Sequence, residues 1–153
     1  MSGDLRERFD LRCSRLDGNL GALARILARR SATPGSDDET LPGLAWLLEA
    51  SYSEMEEVLK GVARHCGDAL PASTTWHRDL LDLMAAPSGD RPTVLSEVLK
   101  IDLEEYRAFR HFSRNATFLV LDWERMRPLV DGLESVVGRF RTELEAFLRG
   151  RGL

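Results

Sequence analysis

The stretch FRHFSRNATF, residues 109–118, gathers Arg110, His111, Arg114 and Asn115 among three aromatics, Phe109, Phe112 and Phe118. It does so in a chain whose pI is near 5.4. These residue types suit phosphodiester cleavage without a metal. Cutting RNA in this way needs a base for the 2′-hydroxyl proton, an acid for the leaving oxygen and a cation over the phosphoryl oxygens. Imidazole changes its charge near neutral pH, and guanidinium grips phosphate in a bidentate fork. No other stretch brings the two together so compactly. His65 stands beside Arg64 near an expected helix end, and His77 stands in WHRD beside Trp76; each is alone and reads as a cap or a packed surface group. There is no Gly-rich phosphate loop, no legible Ser–His–Asp arrangement and no acid spacing of a metal cluster, so neither a cofactor nor a metal is expected.

The elements that must hold this stretch are helices. Apolar residues recur at helical spacing almost everywhere, and the only hint of a strand is at 117–121. A first helix, about 4–30, carries Leu5, Phe9, Leu16, Leu20, Leu23, Ile26 and Leu27, with Gly18 and Gly21 weakening it by about 1 kcal/mol each and inviting a bend. Residues 31–40 read as a loop whose acidic part, 36–39, is solvated. A second helix is expected from Pro42 to His65, a short third from a Thr75 cap to Ala86, a fourth from Pro92 into the basic stretch, and a fifth capped by Asp122. Pro128 should kink the fifth or move its regular start to Arg127. The economical architecture is all-α, an antiparallel bundle of about five helices forming one domain over 1–153.

On the fourth helix, Arg107, His111, Arg114 and Asn115 fall on adjoining lines beside Arg110. A polar wedge of this kind is also what a solvated surface looks like, and Asp102, Glu104 and Glu105 on the same helix could pair with its arginines and cancel them. A formal net charge of −4 argues against a general electrostatic nucleic-acid binder but leaves room for a local basic site. The two cysteines, Cys13 and Cys66, have no metal-ligand spacing and read as free thiols of a reducing cytoplasm. Residues 1–15 carry charges throughout, and no run of about 18 apolar residues occurs, so neither a signal peptide nor a membrane span is expected.

From Trp76 to Phe147 the chain resembles the HepT-like family of the HEPN superfamily of all-α domains. The features that carry the resemblance come in order: WHRDLLDLM, then Pro92, a helix ending in LEEYRAFRHFSRNATF, LDWERMRPL, and a closing FRTELEAFL. The resemblance implies a homodimeric ribonuclease toxin of a toxin–antitoxin module, with its cleft at the two-fold axis. It also implies as antitoxin a nucleotidyltransferase of the MNT type, which can add AMP to a toxin tyrosine. The family motif, Arg-x4-His-x-Tyr, maps its Arg to Arg110, its His to Asn115 and its Tyr to Thr117. On this mapping Arg110 and Asn115 occupy the catalytic positions, His111, Arg114 and Arg107 would hold RNA, and Thr117 is the candidate for modification.

Asn115 cannot transfer a proton near neutrality, although it can hydrogen-bond a phosphate or a 2′-hydroxyl. Three explanations compete: a degenerate domain that keeps fold and dimer as a non-catalytic partner of a nucleotidyltransferase, a share of the chemistry passed to His111, or an introduced substitution. Five residues along a helix turn a side chain by about 140°, so Arg110 and position 115 of one chain diverge and are expected to meet only across a dimer axis.

Overall fold

The computed structural model describes residues 2–32, 37–115 and 121–153. Among the described residues five helices form a bundle: α1 (Ser2–Ala32), α2 (Asp37–Cys66), α3 (Trp76–Met84), α4 (Glu97–Asn115) and α5 (Trp123–Gly150). No strand forms among the described residues, where one isolated bridge pairs Ser88 with Arg91. The strand hint at 117–121 and the loop tip at 33–36 fall, apart from Leu121, outside the described residues.

Apolar spacing explains which face each helix buries. Leu5, Phe9, Leu16 and Leu23 of α1 enter the core, with Leu20, Ile26 and Leu27 packed against it, and α1 runs on through Gly18 and Gly21. α2 is the hub and contacts all four other helices. Its Leu44, Leu48, Met55, Leu59 and Val62 join Leu80 and Met84 of α3, Leu99 and Leu103 of α4, and Val130, Leu133, Phe140 and Leu144 of α5 in one hydrophobic cluster. Charged pairs tie α1 to its neighbours. Arg6 on α1 grips Glu145 on α5 at 2.7 and 2.9 Å, and Arg12 reaches Glu54 on α2 at 2.8 Å.

The helix ends differ from the expected ones for local reasons. α2 begins at Asp37 and carries Pro42 as its sixth residue, because extending the helix backwards buries Leu41 in the core. α5 likewise holds Pro128 at its sixth position: Asp122 Oδ1 accepts from the Glu124 N–H at 3.0 Å and fixes the start at Trp123. Each proline removes one early backbone bond, which capping and core burial offset. α4 starts at Glu97, not Pro92. Residues 92–96 instead run back over the end of α3, where the N–H groups of Val94 and Leu95 donate to the Met84 carbonyl at 2.9 and 3.0 Å. Ser96 then caps α4, its Oγ accepting from the Leu99 N–H at 3.2 Å. α3 stops at Met84, two residues before the expected Ala86, and Thr75 sends its hydroxyl to Asp79 at 3.1 Å and makes no side-chain cap.

Candidate active site

Arg110 does not share the solvent-facing wedge. It continues the core face of α4 defined by Leu99, Leu103 and Tyr106, at steps of four, three and four residues. Its guanidinium meets α2. One terminal nitrogen, Nη1, donates to Ser53 Oγ at 3.0 Å; the other, Nη2, donates to Glu56 Oε2 at 2.8 Å; and the group lies 4.5 Å above the Tyr52 ring. The Arg110 and Glu56 side chains are only 5% and 6% exposed, so the pair is shielded from water and salt. Burial pushes the Tyr52 hydroxyl well above the usual phenol range, and the neighbouring Glu56 carboxylate adds to the shift. That hydroxyl has no hydrogen-bond partner among the described residues.

The third member of this cluster is a histidine that stands alone in the sequence. His77, near the start of α3, places Nδ1 2.7 Å from Glu56 Oε2 and 2.9 Å from Arg110 Nη2. Nδ1 makes one hydrogen bond at a time. With a carboxylate oxygen at 2.7 Å that bond is Nδ1–H donating to Glu56, and in the neutral ring this tautomer puts the lone pair on Nε2. Nε2 has no protein partner among the described residues. The side chain is 35% exposed although Nδ1 faces two buried groups. Trp76 stacks on the imidazole with ring centroids 3.6 Å apart, and Lys60 Nζ sits 5.5 Å from the Trp76 ring.

Two signals for this cluster were present in the sequence. Arg110 continues a core stripe at unbroken spacing, and Glu56 interrupts the apolar face of α2 between Met55 and Leu59. A buried charge on one helix calls for an opposite one on a neighbour. What the sequence could not supply is the docking of α3, which brings His77 between them.

The other expected site residues make no hydrogen bond to the cluster, although the Arg107 charge acts on Tyr52 and Glu56. Arg107 forks onto Glu104 with contacts of 2.6 to 2.9 Å, as an ion pair within its own helix, and this hydrogen bonding raises its pKa. Arg78 of α3 reaches the same Glu104 at 3.4 Å. His111, Arg114 and Asn115 are exposed. Asn115 Nδ2 donates to the His111 carbonyl at 2.8 Å and lies 3.3 Å from His111 Nδ1. Arg114 has no partner among the described residues. Arg110 and Asn115 therefore do not meet within one chain, and Thr117 lies outside the described residues. Among the described residues no cluster of His, Cys, Asp and Glu is placed to hold a metal ion.

The family whose model matches the chain is described as HepT-like protein, and the match runs over residues 43–151. The chain belongs to the HepT-like family. The match covers most of the chain and takes in all three helices that build the Arg110 cluster. It reaches further forward than the motifs from Trp76 onward, entering α2, and leaves α1 outside. The HepT-like family is a HEPN-superfamily family, and the five-helix bundle accords with that membership. Nothing matches the chain among curated proteins or among solved structures. No described helix is long and apolar enough to cross a membrane.

Proposed function

We propose that this HepT-like chain is the toxin of a cytoplasmic toxin–antitoxin module and acts as a metal-independent ribonuclease. The observation that carries the reading is the Arg110–Glu56–His77 cluster, which pairs the motif arginine with an imidazole 2.9 Å away inside the family-matched region. Asn115 takes the motif's second position as a hydrogen-bonding group, and the exposed His111 and Arg114, with Arg107 beside them, hold RNA. The test expresses the chain and Asn115→His under tight induction and scores growth and total RNA integrity. The chain degrades RNA, and Asn115→His degrades it about 100-fold faster or more, as expected when a titratable group joins a positioned site. Intact RNA with both would overturn this reading. It would favour the second one, a non-catalytic HEPN dimer that binds its nucleotidyltransferase, which fits an Arg110 whose terminal nitrogens already serve Ser53 and Glu56.

The partner in the working assembly is a second copy. Val98, Ile101 and Phe112 are 63%, 57% and 44% exposed, and with Ala108 they follow one line along α4 that the exposed Glu105 interrupts. An apolar stripe on one helix is self-complementary across a two-fold axis. Ile101→Arg is expected to convert a dimer to a monomer in sedimentation equilibrium; an unchanged mass would remove this face from the interface. The antitoxin is an MNT-type nucleotidyltransferase. Both tyrosines of the chain, Tyr52 and Tyr106, are buried, and the Tyr106 hydroxyl donates to the Leu129 carbonyl at 2.7 Å. Transfer of AMP to a hydroxyl of this motif therefore falls to Thr117.

A further inference from the structure

We infer that His77, held by Glu56, is the proton-transfer group of this site and supplies the chemistry that Asn115 cannot; the inference rests on the ribonuclease reading above. Three features set His77 apart from His65 and His111. Its Nδ1 is fixed by a carboxylate that is itself almost fully buried, at 2.7 Å. Its Nε2 has no protein partner among the described residues, on a side chain that is 35% exposed. Trp76 packs against the face of its ring, which limits rotation of the imidazole. A carboxylate that orients an imidazole through Nδ1–H and leaves Nε2 as the base is the arrangement general base catalysis requires. His65 has no such support among the described residues, and the His111 ring meets only the Asn115 amide, at 3.3 Å.

The step balances on this one group. Nε2 takes the 2′-hydroxyl proton as O2′ bonds to phosphorus. The P–O5′ bond breaks, and the imidazolium returns the proton to the departing O5′, leaving a 2′,3′-cyclic phosphate and a 5′-hydroxyl. While the ring carries the extra proton, the Glu56 carboxylate balances its charge. Arg110 shares Oε2 of that carboxylate and holds it in place, so Glu56 and Arg110 act as positioning residues.

The test uses the purified full chain on a single-stranded RNA oligonucleotide, beside His77→Ala, His77→Gln, Glu56→Gln, His65→Gln and Asn115→His, each checked for folding by thermal melting. Both His77 variants are expected to lose about 100-fold or more in cleavage. Added imidazole restores part of the rate to His77→Ala, which a merely structural histidine would not permit. Glu56→Gln lowers kcat about tenfold or more with KM little changed, and His65→Gln cleaves as the unaltered chain does. Folded His77 variants that cleave normally overturn the inference and leave the ribonuclease reading standing. A silent unaltered chain beside an active Asn115→His overturns the inference and the ribonuclease reading of this chain together, and marks a family site disarmed at one residue. Silence from both overturns the two together.

Discussion

Replacing Arg110 with Ala is expected to destabilise the protein by about 3–5 kcal/mol, seen as a lower urea midpoint with an unchanged slope. The reason is the partner left behind. Glu56 is as buried as Arg110, and truncating the arginine strands a carboxylate that keeps only His77 at hydrogen-bond distance. The cost is that of an uncompensated buried charge, which exceeds the net worth of the pair. Replacing both members, Arg110→Met with Glu56→Met, removes the stranded charge and recovers most or all of the loss. A double variant as unstable as Arg110→Ala alone would show that the guanidinium acts through packing on Tyr52, 4.5 Å away, and not through its charge. The result bears directly on function. Loss of RNA cleavage in Arg110→Ala would ordinarily be taken as loss of a phosphate contact. Here the same loss follows from Glu56 and His77 losing their anchor, so activity must be read beside the melting curve.

Most of the fold was legible because helical spacing is a dense signal: five apolar stripes gave five helices, and the core residues named from spacing are largely the buried ones. The ends were less legible, since they depend on contacts distant in sequence. Pro92 looked like a helix start, but the segment after it is recruited to cap α3, a fact written in the Met84 carbonyl and not near Pro92. The candidate site divides along the same line. Arg110 and Asn115 were found from one continuous stretch, and their divergence follows from helix geometry alone. Glu56 and His77 lie 54 and 33 residues from Arg110 in sequence, and no local pattern joins them. His77 looked solitary because its partners sit on two other helices. The wedge on α4 misled for a related reason: its charges were read as one face, whereas the core stripe carries Arg110 inward and leaves His111 and Arg114 in solvent.

A second large effect lies outside the cluster yet governs its assembly. Arg91 is 2% exposed and is held in the turn between α3 and α4. Its Nε donates to Asp68 Oδ2 at 2.6 Å, Nη1 to the carbonyls of Pro92 and Ala86 at 2.9 and 3.3 Å, and Nη2 to the Leu83 carbonyl at 3.0 Å. Leu83 lies in the last turn of α3 and Ala86 just beyond it, so the guanidinium serves the Ala86 carbonyl and adds a second donor to the Leu83 carbonyl, which the Ala86 N–H reaches at 3.4 Å. Asp68, 6% exposed, follows α2, so a single side chain ties the end of α2 to the end of α3. Arg91→Ala is expected to cost about 3–5 kcal/mol, because it leaves Asp68 buried without its cation and takes the guanidinium donors from three carbonyls together. Arg91→Lys should recover little of this, since an ammonium cannot spread donors over four acceptors in a plane. Calorimetry of both variants tests the point, and a near-normal Arg91→Lys would reduce Arg91 to a simple countercharge for Asp68. Because α3 carries His77, looser docking of this helix also lets the imidazole drift from Glu56. Arg91→Ala should therefore cut RNA cleavage even at temperatures where the bundle is still folded, with the loss in kcat and not in KM.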